Sequence, residues 1–406
     1  MSNAMPRTEF IALMAMLAAT VALSIDAMLP ALPQIGAELS PDNVNRAQLI
    51  VTSFVLGMGL GTFVSGPLSD TFGRKPVMLA GAAIYIVAAF VASKAQSLEV
   101  LLVARETSRL GASGPRVVAM AVVRDLYAGR GMAKILSFIM MVFALVPAIA
   151  PLLGDIVIDI WNWRAVFYGF VGFSAVSAIW LATRLPETLD PSNRRPFKPR
   201  ALRSAMIEVL SHPIVRLSII VQTLSFAMLF SMLSSVQQIY DITFGRAESF
   251  ALWFGVVAVI AASSSLLNAS LVVRLGMMVL VRGMLLAQVI ITSAMIAISF
   301  AAKAGHVPDD LYFAAFVFWQ VSIIFQAGMT IGNLAAIAQE PMGHIAGMAA
   351  SVISAVATVG AVILAVPVGL LFDGTPIPLA IAIFLEAAAG LMLMRLMMQR
   401  DAAHAV

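Results

Sequence analysis

Gly66-Pro67-Leu68-Ser69-Asp70-Thr71-Phe72-Gly73-Arg74-Lys75-Pro76 lies between two long apolar stretches. It packs a membrane exit, a tight turn, three charges and a re-entry into eleven residues. Gly73 permits a backbone turn that a side chain would obstruct, and Asp70 and Arg74 are spaced to pair at a helix end. Arg74 and Lys75 put positive charge where it holds a loop in the cytoplasm. Gly66, Asp70, Gly73 and Arg74 thus read as a cytoplasmic turn between two membrane spans.

Composition agrees. The chain is 61% hydrophobic and only 11% charged over 406 residues, whereas an ordinary soluble domain is about a quarter charged. Apolar runs lie at 10–35, 46–69, 77–95, 100–123, 135–159 and 165–183, then at 214–238, 250–272, 283–302, 311–336, 346–371 and 379–398. Each is close to the roughly 20 residues that a helix needs to cross the hydrocarbon core. Open strands in lipid would leave backbone groups unpaired, so the spans must be helices. The fold class is an all-α polytopic membrane protein with twelve transmembrane helices in two six-helix halves. The net charge of +4 is no nucleic-acid signature, because the basic residues collect in short loops. The absence of cysteine excludes disulfides, thiolate metal sites and cysteine nucleophiles. The first apolar run is long enough to span and lacks a small-residue cleavage site.

Orientation follows from charge. Arg7, Arg74, Lys75, Arg124, Arg130, Lys134, Arg274, Arg282, Arg395 and Arg400 fall on one side with a basic central segment, against Arg46, Lys94, Arg164, Arg246 and Lys303 on the other. That asymmetry places both termini in the cytoplasm. The polar segment 184–213, with Pro186, Pro191, Pro196, Pro199 and the basic residues Arg194, Arg195, Lys198, Arg200 and Arg203, separates a half at 1–183 from a half at 214–406. Ala201 to Ser211 is expected to form a surface helix. The halves repeat weakly, since Leu68 to Gly73 echoes Leu271 to Gly276 with Val273 in place of Asp70. Two related halves suit alternating access about a midplane site.

The loop Gly-x-Leu-x-Asp-x-x-Gly-Arg-Lys resembles the one between the second and third helices of major facilitator superfamily transporters. Asp26-Ala-Met-Leu-Pro30-Ala-Leu-Pro33 is similar to a signature of drug/proton antiporters, and Arg105 sits where that family carries an intramembrane arginine. Pro147-x-x-x-Pro151-x-x-Gly154 and Trp163-Arg-Ala-Val-Phe167 resemble the Bcr/CflA branch. The resemblance implies a proton-driven antiporter in the bacterial inner membrane, a monomer that exports small amphipathic molecules such as chloramphenicol-like or bicyclomycin-like compounds. It assigns Pro147, Pro151 and Gly154 to the seal on the outer side, with a generic proline kink as the alternative. Members of the family usually continue the fourth-helix motif as Arg-Phe-Leu-Gln-Gly; here it is Arg105-Glu-Thr-Ser-Arg109.

An ionisable residue inside a span is expensive and functional by default. Asp26, about 24 Å along the first helix at about 1.5 Å per residue, is the expected proton site; a static ion pair with the fourth helix is the alternative. Arg105, Arg109 and Arg116 fall within a sector of about 40° and form a column about 16 Å long. By depth Arg105 is the expected partner of Asp26, and Glu106 is spaced to offset Arg109. The column offers forked hydrogen bonds to a carboxylate or phosphate, which makes transport of a small organic anion the alternative function. Asp155 is expected either to line the outer vestibule or to snorkel into interfacial water, and Glu386 either to make an interhelical hydrogen bond or to serve as a protonated structural carboxyl of the last helix. Asp70, Arg74 and Asp125 form an expected cytoplasmic gate cluster that breaks as the halves rock.

In the second half the midspan polar groups are uncharged: Gln222, Gln237 and Gln238 in the seventh span, Gln320, Gln326 and Asn333 in the tenth. With Phe226, Met228, Phe230, Phe316 and Trp319 they are candidates for an amphipathic substrate pocket or for helix packing. His212, His306, His344 and His404 lie in loops or tails. No metal-ligand or nucleophile–base spacing occurs within a span, which argues against an intramembrane enzyme and implies no metal or cofactor. The expected partners are a small-molecule substrate, protons and the bilayer.

Overall fold

Gly73 adopts φ +104° and Gly276 φ +80°, and each separates two long helices. Side chains rarely enter that backbone region, so the two glycines mark the same tight turn in the two halves of the chain. The faint sequence echo around them is therefore an echo of backbone geometry. The computed structural model describes residues 5–127, 129–194 and 199–404. Arg195 and Lys198 of the central segment lie outside them.

The described residues form helices without strands. In chain order these are α1 (Arg7–Asp26), α2 (Leu32–Leu39), α3 (Leu49–Phe72), α4 (Arg74–Ser93), α5 (Leu98–Leu126), α6 (Gly129–Ile160) and α7 (Trp163–Arg184). Then come α8 (Pro199–Ser211), α9 (Pro213–Gln238), α10 (Phe250–Leu275), α11 (Met277–Lys303), α12 (Asp309–Gln339), α13 (Ala346–Leu370) and α14 (Ile377–His404). All but α2 and α8 have at least 20 residues. Nine stretches among the described residues are long and apolar enough to cross a membrane, and one of them, Asp309–Leu370, holds both α12 and α13. The charges of α5 set it apart from those simple spans.

The first apolar run is not one helix. Pro30 has no N–H to give the carbonyl four residues earlier, so α1 stops at Asp26 and the chain passes through a 3₁₀ turn, Leu29–Ala31, into α2. Elsewhere local signals hold. Ser97 caps α5 by accepting from the Val100 N–H at 3.4 Å, and Asn162 caps α7 by accepting from that of Arg164 at 2.9 Å.

Contacts divide the chain into two compact units: unit 1 is Met1–Asp42 with Ser53–Arg200, and unit 2 is Asn43–Thr52 with Ala201–Val406. In unit 1, Phe10, Leu13 and Leu17 of α1 pack with Met78 of α4, Val118 and Val122 of α5 and Leu181 of α7. In unit 2, Tyr240, Phe244, Phe313 and Phe316 form an aromatic cluster with ring centroids 5.2–5.8 Å apart. The central helix α8 buries Ala205 and Val209. Its Glu208 meets His344 of the same unit at 2.5 Å.

Candidate functional site

The break after Asp26 builds the core of unit 1. Past it, the Met28 N–H turns to the Ile25 carbonyl at 3.4 Å, which releases the Ser24 carbonyl that it would have bonded in a continued helix. Arg105 takes that carbonyl, with its Nη2 donating at 2.8 Å. The side chain of Ser24 bonds the Tyr85 hydroxyl of α4. The expected ion pair between Asp26 and Arg105 is not formed; the guanidinium donates instead to the backbone two residues earlier. Asp26 is 5% exposed, and among the described residues no hydrogen bond or ion pair reaches its carboxyl.

The column on α5 is buried by close helix contact. A Cβ on Gly57 of α3 would stand 2.3 Å from the Glu106 carbonyl and 3.1 Å from the Arg109 Cβ, and one on Gly61 would stand 2.2 Å from the Ser113 Oγ. Gly57-x-x-x-Gly61 is a small-residue contact of the membrane kind, a signal that the sequence carries in plain view. Pressed together, α3 and α5 trap the Phe54 ring, with the Arg105 guanidinium 4.1 Å and that of Arg109 4.8 Å from its centroid. Arg109 donates to the Met58 sulfur, which Arg116 also reaches at 3.3 Å. Arg109 is fully buried. Glu106 is half-buried and makes no ion pair with it, so the expected local neutralisation is absent.

On the other side of the break stands α6. A Cβ on Gly154 would lie 2.0 Å from the Ala27 carbonyl and 3.1 Å from its Cα. Pro147 and Pro151 sit inside the continuous α6. Gly154 thus sets the close approach of α6 to the residue that follows Asp26.

At the cytoplasmic turn, Arg74 bonds Asp125 Oδ2 at 2.9 Å, Asp70 Oδ1 at 2.5 Å and Ser69 Oγ at 2.7 Å. Gly66, in α3, supplies the carbonyl that Ser69 Oγ bonds at 2.8 Å. Every one of these partners belongs to unit 1, so the expected gate cluster is held together by bonds within that unit. Sequence reasoning missed Glu187. Its carboxylate accepts the N–H of Arg74 at 2.9 Å and of Lys75 at 3.1 Å, and so caps α4. It also accepts from Thr188 and Leu189 at 3.0 and 2.9 Å. Burial pushes this carboxyl up, but the four backbone donors outweigh it and hold the group below its ordinary value. A Cβ on Gly73 would stand 2.6 Å from Glu187 Oε2, a second reason for glycine there. Nothing near position 187 in the sequence announces a cap for a helix 113 residues earlier.

In unit 2 the expected pocket residues are buried in helix-joining bonds. Gln222 donates to the Ile331 carbonyl at 3.5 Å, Gln326 to Ser225 Oγ at 3.2 Å and Asn333 to Asn268 Oδ1 at 2.7 Å. Gln320 accepts from the Tyr240 hydroxyl at 3.0 Å, beside the aromatic cluster. Phe226 and Phe230 stack on each other at 5.4 Å. Gln48, which was not singled out, accepts from Ser235 Oγ at 3.1 Å and bonds Gln238, over the Cα of Gly369. Glu386 is 8% exposed, and its Oε2 has no partner. Among the described residues no group of acids and histidines could hold a metal ion.

The comparisons with known proteins match this architecture. Over 272 residues the chain is 28% identical to a bicyclomycin resistance protein homolog of Haemophilus influenzae, covering 66% of this chain and 67% of that one. Over 169 residues it is 40% identical to a chloramphenicol resistance protein of Pseudomonas aeruginosa, covering 41% and 40% of the two chains. The crystal structure of a D-xylose-proton symporter superposes with a TM-score of 0.77 over 96% of this chain and 97% of that one. At 12% identity it speaks for the fold alone. These relatives bear out the resemblance to drug-resistance transporters, which are not enzymes. With residues 14–365 matching the model of the Major Facilitator Superfamily, the chain belongs to that family of membrane transporters.

Proposed function

We propose that the protein is a proton-coupled antiporter that exports small amphipathic compounds by alternating access. Residues 1–183 and 214–406 act as two six-helix halves joined by 184–213, with twelve crossings of a bacterial inner membrane, both termini in the cytoplasm, and one chain as the working unit. The observation that carries this reading is Asp26. It is a carboxyl held 5% exposed at a helix break, with no basic partner to lock its charge. A carboxyl without a fixed counter-ion changes its protonation when its access to water changes, and alternating access supplies that change. Arg105 holds the broken end of α1 through Ser24, so movement of α5 is transmitted to the residue beside the proton site. The resistance phenotypes named for the two relatives favour chloramphenicol-like and bicyclomycin-like cargo.

The test is transport by purified protein in liposomes with an imposed pH gradient and chloramphenicol or bicyclomycin as cargo. Wild type should move cargo against proton flow, and Asp26→Asn should abolish gradient-driven movement while it retains cargo binding. Cargo-dependent proton flux that survives Asp26→Asn refutes the coupling assignment.

A further inference from the structure

Unit 1 buries more cationic donors than it pairs. Arg105 is 1% and Arg109 0% exposed, yet Arg105 Nε and Arg109 Nε and Nη1 have no hydrogen-bond partner. A guanidinium is always charged and offers donors but no acceptor, so its partners must be electron-rich. The partners present are weak ones: the faces of Phe54 and Phe167, the sulfur of Met58 and a single backbone carbonyl. The acids within sequence reach do not answer the charge, since Asp26 and Glu106 pair with neither arginine. Removing one partner of a buried ion pair ordinarily costs several kcal/mol because a buried charge is left uncompensated. Here two such charges stand four residues apart on one face of α5, under the same ring.

We propose that Arg105 and Arg109 form an anion subsite, and that the compounds this transporter handles include small aromatic or amphipathic anions bound through a carboxylate. The proposal rests on the transporter reading above and names the substrate class of that site. Arg109 is its specificity-determining residue. Its Nε and Nη1 are unmatched donors on two edges of the guanidinium, Nη2 completes a parallel pair with Nε once Met58 swings away, and Arg105 Nε adds another. Phe54 and Met58 offer apolar, polarisable surface to the body of the ligand. The Tyr85 hydroxyl, already bonded to Ser24, stands on the α4 side of the same cluster. Met58 is the movable part, because it fills the donor side of Arg109 and swings on an unbranched chain.

Equilibrium binding to the full chain in detergent or nanodiscs tests this without any need for transport. The probes are benzoate, the neutral isostere benzamide, and chloride exchanged for gluconate. Benzoate should bind about tenfold more tightly than benzamide, the difference that one charge-assisted bond makes. Arg109→Gln should erase that preference, and Arg109→Lys should keep part of it. Equal binding of benzoate and benzamide by the wild type overturns the proposal, as does a preference that survives in Arg109→Gln. If chloride alone occupies the site and benzoate cannot displace it, the cluster is a structural counter-ion site and the substrate assignment falls. The wild-type comparison stands even if a variant folds poorly. A chain that binds benzoate through Arg109 but shows no proton-coupled flux would sink the antiport reading and leave this one intact.

Discussion

Replacing Gly154 with alanine adds one methyl group at the tightest backbone contact of unit 1. The new Cβ would stand 2.0 Å from the Ala27 carbonyl oxygen, 1.4 Å inside the 3.4 Å at which ordinary van der Waals contact begins. The obstacle is backbone, so no rotamer change relieves it, and α6 must withdraw from the chain break. Overpacking of this kind costs about 1–3 kcal/mol. Alanine returns up to about 1 kcal/mol by its better helix propensity, leaving a net loss of up to about 2 kcal/mol. Gly172 in α7 provides the control, because a Cβ there meets nothing within 4 Å and only the propensity gain applies. Apparent unfolding midpoints of both variants, measured in one detergent at one scan rate, should move in opposite directions. The same displacement shifts the neighbour of Asp26, so Gly154→Ala should also lower gradient-driven efflux and Gly172→Ala should not. Equal midpoints for the two variants would refute the claim that α6 and Ala27 are in backbone contact.

Other expectations follow from the same geometry. Glu187 has a lowered pKa in the folded chain, so its contribution is fully present above the unfolded value of 4.5 and is lost as pH falls through the folded value. Midpoints between pH 3 and 7 should show an acid-side decline in wild type that is smaller in Glu187→Gln. Tyr240→Phe breaks the bond to Gln320 and should cost about 1 kcal/mol in stability, read from the same midpoints, with cargo binding unchanged. Gly73→Ala should destabilise more than Gly276→Ala. Both glycines have positive φ, but only the first would press a Cβ against a carboxylate, so equal losses would assign the effect to backbone strain alone.

What could be read along the chain was whatever one segment decides for itself. Span length, the loop charges, the two turn glycines and the Asp70–Arg74 pair all depend on residues within a helix turn or on the solvent beside them. Asp70 and Arg74 are adjacent on their helix ends wherever the rest of the protein lies. The pairing of Asp26 with Arg105 and of Glu106 with Arg109 went wrong for a common reason. Depth and spacing place two side chains at one level, but they do not say which competing acceptor is nearer. Pro30, visible in the sequence, freed the Ser24 carbonyl, and that local event redirected Arg105.

The sequence alone determined that this chain spans a membrane many times and turns on Gly73 and Gly276, because hydrophobic length and backbone stereochemistry act locally, and its resemblance to a known family placed it among transporters. Only the tertiary structure decided that Glu187 caps α4, that Gly57 presses α3 onto Arg109, that Gly154 meets Ala27, and that Gln48 bonds within unit 2. Each of these depends on which face a helix turns to a neighbour distant in sequence. Successive residues rotate by about 100° around the helix axis, so the choice of face belongs to the packed assembly of helices and not to any one of them.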